Sequence, residues 1–206
     1  MSNNSVSTDR EIIQRSLDQP QAFAELFDRH AATIGGYAAR RVGQDAGEDV
    51  LSETFLVAFS RRRAFDAEWE TALPWLYGIA SRLIRKHRAR EAQLLRAAGH
   101  AKTREEHVSD GGLDTAGERL DAQSGARILA PRIARLAARD RDTLLLYAWG
   151  DLSYEEVAQA LGVPVGTVRS RMNRARRLLD PDRVARSQRA RQDEGGEIDG
   201  QVAARA

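Results

Sequence analysis

Six polar residues near position 170 have the side chains that proteins use to read DNA. Arginine can bind guanine through two hydrogen bonds, asparagine can bind adenine in the same way, and serine and threonine hydroxyls can hold phosphate oxygens. At 100° per residue these residues lie on or beside one polar side of a helix. They are Thr167, Arg169, Ser170, Asn173, Arg174 and Arg177. The pattern predicts a helix that enters the major groove of duplex DNA.

The residues around this helix predict a helix-turn-helix. Ser153 followed by Glu156 forms a capping box, which satisfies free N–H groups where a helix begins. Gly162 can take the left-handed conformation that ends this helix, and Pro164 starts the next one. The alternative is an exposed cationic helix in an all-α protein. Four residues of the second helix are predicted to face the core: Val168, Met172, Ala175 and Leu179.

Charge is distributed unevenly along the chain, although the formal net charge is only +2. Residues 81–104 and 161–191 are strongly basic, whereas residues 43–60 carry acidic and no basic side chains. Two basic segments and one acidic segment indicate two nucleic-acid contacts and a separate docking surface. Solvated helix faces are the alternative explanation of such charge runs.

Composition favours small helical domains and excludes several classes of site. Aromatic residues make up 6% of the 206 residues and charged residues 30%, which suits helices better than a large sheet. With no cysteine, the chain can form neither disulfides nor cysteine-based zinc sites. Its four histidines are scattered, so we expect no metal and no cofactor. No apolar run is long enough to span a membrane, and the N-terminus does not resemble a signal peptide, so we expect a cytoplasmic protein.

Apolar periodicity predicts an all-α protein. It has two small helical domains joined by a flexible linker. The predicted parts are an N-terminal segment at 1–17, a first domain at 18–98, a linker at 99–125, a second domain at 126–180 and a disordered tail at 181–206. The linker is rich in Gly, Ser, Asp and Glu, and the tail has almost nothing apolar to bury.

Both domains resemble one family. The segment "LLLYAWGDLSYEEVAQALGVPVGTVRSRMNRARRLL" is similar to region 4 of the sigma-70 family, in particular the extracytoplasmic-function (ECF) sigma factors. LuxR-type regulators carry a similar helix-turn-helix, so only the N-terminal half can distinguish a sigma factor from such a regulator. There, "FAELFDRHAATIGGYAARRVGQDAGEDVLSETFLVAFSRRRAF" followed by "PWLYGIASRLIRKHRAR" resembles ECF sigma region 2. The resemblance implies that residues near 170 read the promoter's minus-35 element.

The acidic segment gains a role from the same resemblance. In the family, the stretch corresponding to "GEDVLSETFLVAF" docks on the β′ clamp helices of RNA polymerase. Carboxylates beside apolar side chains suit a basic, helical partner. Exposure to solvent alone is the alternative. The implied docking residues are Glu48, Asp49, Val50, Leu51, Glu53 and Phe55, with Leu56 beside them.

The helix "PWLYGIASRLIRKHRAR" resembles the family's minus-10 reading and melting element. Melted DNA needs aromatic surfaces that replace lost stacking and cations along its backbone. The loop before the helix, "FDAEWETALPWL", lacks the glycine with which many ECF factors form a base-capturing loop. The implied minus-10 residues are Trp69, Tyr77, Arg82, Arg85, Lys86 and Arg88.

The resemblance implies a sigma factor that directs promoter-specific initiation and has no catalytic activity of its own. Its partners would be promoter DNA, core RNA polymerase through the β′ clamp helices and β flap, and an anti-sigma protein. No membrane insertion is expected. The alternative is a stand-alone helix-turn-helix regulator, which would need no polymerase-docking surface and no second basic helix. An enzyme is disfavoured because no catalytic constellation or phosphate-binding glycine loop is found.

Overall fold

The computed structural model describes residues 7–97 and 129–180, and every regular element in these ranges is helical. The prediction of an all-α fold is confirmed. The first unit contains α1 to α4 and the second contains α5 to α7. The helices are α1 (Asp9–Asp18), α2 (Ala24–Val42), α3 (Gln44–Arg61), α4 (Leu73–Ala97), α5 (Ala138–Gly150), α6 (Tyr154–Leu161) and α7 (Val165–Leu179), with 3-10 helices at Pro20–Phe23 and Arg62–Ala64 and a further helical segment at 129–135.

Helix α1 belongs to the first unit, so this unit begins before residue 18, where the sequence predicted its start. Thr8 caps α1 reciprocally: its hydroxyl accepts a hydrogen bond from the Glu11 N–H, and its own N–H donates to the Glu11 carboxylate. Ile12 and Ile13 are buried in the apolar core. Their burial was missed because the polar residues around them hide the short apolar face of α1.

Helices α2, α3 and α4 form the rest of the first unit. A single residue, Gly43, separates α2 from α3, and the two helices pack closely against each other. Leu26 and Ile34 from α2 and Leu76 from α4 are fully buried between the helices. The period of three and four residues in the sequence arises from this shared face.

The second unit contains the predicted helix-turn-helix. The Ser153 hydroxyl accepts from the Glu156 N–H at 3.2 Å, and the Glu156 carboxylate accepts from the Ser153 N–H at 2.8 Å, so the predicted capping box is present. Gly162 has φ 64° and ends α6 in the left-handed region, as predicted. In α7, Val168, Met172 and Ala175 are buried, as predicted, and Leu179 is half-buried.

The two units pack directly on each other, a contact that the sequence did not indicate. Helix α4 crosses α6 where Gly78 meets Ala160, so closely that a Cβ on Gly78 would lie 2.4 Å from the Ala160 carbonyl oxygen. Nearby, the Tyr77 ring covers Gly150 at the end of α5. The apolar core therefore continues from one unit into the other.

Two predicted segments, the linker at 99–125 and the tail at 181–206, lie outside the described residues. Within the described ranges, no helix is both long enough and apolar enough to cross a membrane.

Candidate nucleic-acid and docking surfaces

Helix α7 presents its polar side to solvent. Arg169, Ser170, Asn173, Arg174 and Arg177 are exposed, and Thr167 at the start of the helix is half-buried. The Ser170 hydroxyl donates back to the Thr167 carbonyl at 2.9 Å. The structure thus brings the six predicted duplex-DNA residues together on one accessible face, opposite the side that packs in the core.

Two arginines of this face are held by carboxylates from neighbouring helices. Arg174 Nη1 lies 3.6 Å from Asp140 Oδ2, and Asp140 is a buried residue in the first turn of α5. Arg169 Nη2 lies 4.0 Å from Glu155 Oε1 at the solvent-exposed start of α6. Asp140 is 2% exposed whereas Glu155 is exposed, so only the Arg174 pair involves a buried carboxylate.

The basic residues of α4 occupy different environments. Arg82, Arg85 and Lys86 are exposed, so they can reach a nucleic-acid backbone. Arg88 is half-buried and donates to the Arg41 carbonyl at 2.5 Å. Burial and the neighbouring guanidiniums of Arg41 and Arg141 lower the pKa of Arg88 to about 10, so this side chain stays cationic at neutral pH.

Tyr77 is not available to DNA in this arrangement, which corrects the prediction for this residue. It is only 1% exposed, packs edge-on against Tyr37 with ring centroids 4.9 Å apart, and lies against Gly150 of the second unit. Burial raises its pKa to about 12. The helical period of α4 cannot show that a second unit covers the ring.

Trp69 lies in the loop between the Arg62–Ala64 3-10 helix and α4, and it is half-buried. The loop turns at Asp66, whose carbonyl accepts from the Trp69 N–H at 3.2 Å and whose carboxylate accepts from the Glu68 N–H at 3.0 Å. At the base of the loop, Phe65 packs on Trp75 with centroids 5.3 Å apart. Trp75 is also half-buried, but it packs on Phe65 and against the apolar core, whereas Trp69 is not among the residues packed against that core.

Among the six predicted docking residues, the three carboxylates Glu48, Asp49 and Glu53 are exposed on α3. We call this surface the acidic face of α3. Glu53 Oε1 lies 3.9 Å from Lys86 Nζ of α4. The acidic face of α3 and the basic side of α4 therefore meet along one edge.

The structure corrects the prediction for Val50 and Phe55. Both are buried in the core, and Leu51 is half-buried, so none of these three is freely exposed. The accessible apolar side chains beside the carboxylates are instead Leu56, which is 67% exposed, and Phe27 of α2, which is 42% exposed and packs on Phe55. The docking role of these three residues came from the family resemblance, which identifies the segment but not which side of α3 packs in the core.

A buried ion pair that the sequence did not indicate joins the two units. Arg41 Nη2 of α2 lies 2.5 Å from Asp142 Oδ1 of α5, and both side chains are only 2% exposed. Arg41 Nη1 also donates to the Tyr37 hydroxyl at 2.8 Å, and that hydroxyl lies 3.0 Å from Ser81 Oγ of α4. Arg85 Nε is 3.7 Å from Asp142 Oδ2, so a predicted DNA contact lies at the same junction.

A second buried carboxylate, Asp9, lies at the start of α1. Its Oδ1 accepts from Arg29 Nη1 at 2.6 Å, and its Oδ2 accepts from His30 Nε2 at 2.7 Å and from the Ala72 N–H at 2.8 Å. Burial on its own would raise the pKa of Asp9, but the hydrogen bonds from His30, Ala72 and Arg29 lower it to about 2. The charged form is therefore the stable one in the folded chain.

The low pKa of Asp9 predicts a specific acid dependence of stability. The folded pKa of about 2 lies below the ordinary 3.8, so the Asp9 contribution is complete above about pH 4 and disappears as the pH falls through 2. The shift corresponds to about 2 kcal/mol. The free energy of unfolding in urea, measured from pH 5 to pH 2, should fall by this amount more in the wild type than in Asp9→Asn. Parallel pH profiles would contradict the prediction.

Comparisons with known proteins match both units. The family model for Sigma-70 region 2 matches residues 26–93, and the model for Sigma-70, region 4 matches residues 127–179. The ECF RNA polymerase sigma factor SigL of Mycobacterium tuberculosis is 31% identical over 157 residues, covering 75% of this chain and 84% of SigL. The chain belongs to the sigma-70 family. This sigma factor is of the ECF type, and sigma factors are transcription initiation factors.

Further relatives are similar over comparable lengths. The ECF RNA polymerase sigma-E factor of Haemophilus influenzae is 27% identical over 187 residues, covering 84% of this sigma factor and 94% of the relative. Among solved structures, CnrH in complex with the cytosolic domain of CnrY aligns with a TM-score of 0.56 and 22% identity, covering 83% of this sigma factor and 94% of that chain. The latter similarity supports the helical fold.

Proposed function

We propose that this ECF sigma factor docks on core RNA polymerase through the acidic face of α3 and reads two promoter elements. The polar face of α7 reads the minus-35 element, and the Trp69 loop with the basic side of α4 reads the minus-10 element. The observation that carries the proposal is the exposed set of arginines, Asn173 and Ser170 on the second helix of a capped helix-turn-helix. Such a helix suits the major groove, where these side chains distinguish base pairs.

The docking role rests on complementarity. Glu48, Asp49 and Glu53 supply negative charge, and Leu56 and Phe27 supply adjacent apolar area, which together suit a basic helical partner. Within the polymerase, the β′ clamp helices are the proposed partner of the first unit and the β flap that of the second. We place the protein in the cytoplasm, where these partners function.

An anti-sigma protein is a further proposed partner. The sigma factor RpoE of Bartonella quintana, which aligns with a TM-score of 0.50 and 22% identity over 76% of this chain and 93% of that chain, was crystallised with the anti-sigma factor NepR. Co-purification of this chain with a candidate anti-sigma protein, together with loss of transcription in its presence, would support this partner.

Run-off transcription with bacterial core polymerase tests the minus-35 assignment. Arg174→Ala should reduce transcription from the preferred promoter by about tenfold and relax selectivity at one minus-35 base pair, because a bidentate arginine–guanine contact discriminates by about 1–3 kcal/mol. Arg176→Ala, an exposed arginine of the same helix outside the predicted set, is the control for loss of positive charge. It should reduce transcription from all promoters by a similar factor, smaller than the factor for Arg174→Ala at the preferred promoter. Because Arg174→Ala also removes the cation beside the buried Asp140, both variants are assayed well below their thermal midpoints.

The same assay tests docking. Asp49→Ala should weaken binding to core polymerase, while Glu91→Ala on the exposed part of α4 should not. If the chain yields no core-dependent transcript yet binds particular duplex sites tightly by itself, the proposal fails and a stand-alone regulator takes its place.

A further inference from the structure

The Asp9 carboxylate joins three parts of the first unit that are distant in sequence. It accepts hydrogen bonds from Arg29 and His30 of α2 and from the Ala72 N–H, and the Thr71 hydroxyl lies 3.3 Å from Oδ2. Residues 71 and 72 end the loop that carries Trp69. Asp9 is 3% exposed, so the carboxylate at the centre of these contacts is shielded from water.

The contacts continue into α4. The Ala72 carbonyl accepts from the Leu76 N–H at 2.9 Å, and the Thr71 hydroxyl accepts from the Leu73 N–H at 3.3 Å, so both loop residues cap the first turn of the helix. One residue earlier, the Glu70 carbonyl accepts from the Arg10 N–H at 3.4 Å, and the two side chains form an exposed ion pair at 3.4 Å. Two consecutive residues at the start of α1, Asp9 and Arg10, therefore bind the end of the loop.

The other end of the loop is held separately. There the Phe65 ring packs on Trp75, and the Phe65 N–H donates to the Arg62 carbonyl at 3.3 Å. Trp69 thus stands between two anchored ends, one of which depends on Asp9. Anchoring both ends limits the positions that the ring can take in front of a base.

We propose that Asp9 is a positioning residue for minus-10 recognition, which rests on the function proposed above. Through Ala72 and Thr71 it fixes the position of the Trp69 loop relative to the start of α4. A DNA base can then stack on Trp69 while Arg82 contacts the DNA backbone of the same minus-10 element. Asp9 itself does not touch DNA. Helix α1 lies before the part of the chain that the region 2 family model matches, so this role extends the reading unit beyond that match.

Charge and shape explain why asparagine cannot replace Asp9. A carboxylate accepts on both oxygens, as Arg29 on one side and His30 with Ala72 on the other require. An asparagine side chain has one oxygen and one NH₂ group. In either orientation the NH₂ group faces N–H donors, either those of Arg29 or those of His30 and Ala72. The donors that it faces lose their acceptor.

The experiment measures promoter selectivity, using the full chain with core polymerase. Promoters share one minus-35 element and differ by every single-base change in the minus-10 element. Asp9→Asn should reduce the preference for the best base by about tenfold at the positions that the loop reads, since a single base contact is worth about that factor. Its affinity for core polymerase should stay within about twofold of the wild type, because the acidic face of α3 is unchanged.

Two further variants separate positioning from stability. Thr71→Val removes one hydroxyl of the junction with little change of volume, so it should shift selectivity in the same direction by a smaller factor. Ser16→Ala removes the buried hydrogen bond from Ser16 Oγ to the Ile13 carbonyl on the same helix and leaves the Ser16 carbonyl, which accepts from Arg62 Nε at 3.2 Å, in place. It should lower the thermal midpoint and leave the minus-10 preferences intact. All variants are assayed well below their thermal midpoints.

The outcomes are distinct. If Asp9→Asn and Thr71→Val lower thermal stability while every minus-10 preference stays at its wild-type value, as in Ser16→Ala, the positioning role is overturned and Asp9 serves stability alone. If the wild type itself yields no core-dependent transcript, the proposed function fails, and this inference fails with it.

Discussion

Replacing Asp142 by alanine is expected to lower the free energy of unfolding by about 3–5 kcal/mol, since it leaves a buried charge without its partner. The partner is Arg41, whose side chain is 2% exposed and contacts Asp142 Oδ1 at 2.5 Å. The Tyr37 hydroxyl remains beside the guanidinium but carries no compensating charge. Arg85 and Arg88 lie at the same junction, so removing the carboxylate also leaves several cations together. Urea unfolding followed by circular dichroism measures the loss.

Two controls identify the origin of this loss. Glu155→Ala removes the carboxylate of the exposed Arg169 pair, where the side chains are 64% and 60% exposed, and should cost less than about 1 kcal/mol. The double substitution Arg41→Met and Asp142→Leu removes both buried charges and fills similar space, so it should recover most of the stability that Asp142→Ala loses. If Asp142→Ala lowers the free energy of unfolding only as much as Glu155→Ala does, Asp142 is solvated and the two units are apart in solution.

Local hydrogen-bonding rules made the helix-turn-helix predictable. A capping box requires Ser153 and Glu156 three residues apart, and a left-handed helix end favours glycine at 162, so both features are encoded within a few residues. The exposed face of α7 was predictable from its helical period. Once Val168 and Met172 face the core, the helical period fixes the polar side.

Contacts between distant residues could not be predicted in this way. Arg41 and Asp142 are 101 positions apart, and each appears in the sequence as an ordinary charged residue of a helix. Tyr77 was assigned to DNA because aromatic residues suit melted bases, yet its exposure depends on the other unit. Asp9 is buried only because donors from α2 and from residues 71–72 converge on it. Periodicity identifies an apolar face but not the partner that covers it.

Gly78→Ala is expected to separate α4 from α6. The added Cβ would lie 2.4 Å from the Ala160 carbonyl oxygen and 3.2 Å from its carbon. Both are backbone atoms of a helix, so no side-chain rotation can relieve the clash. Overpacking of this kind costs about 1–3 kcal/mol, occasionally more. Alanine within an exposed helix would otherwise gain about 0.5–1 kcal/mol over glycine, so the sign of the change is informative.

Gly36→Ala in α2 is the matched control, because the nearest atom to its added Cβ is Arg40 Nη2 at 3.7 Å, an ordinary contact. It should raise the thermal midpoint, whereas Gly78→Ala should lower it and increase the radius of gyration measured by small-angle X-ray scattering. The increase follows because the clash is relieved by moving the units apart rather than by unfolding either one. If both variants are stabilised equally and the radius stays unchanged, Gly78 and Ala160 do not meet in solution, and Tyr77 regains its place among the candidate DNA contacts.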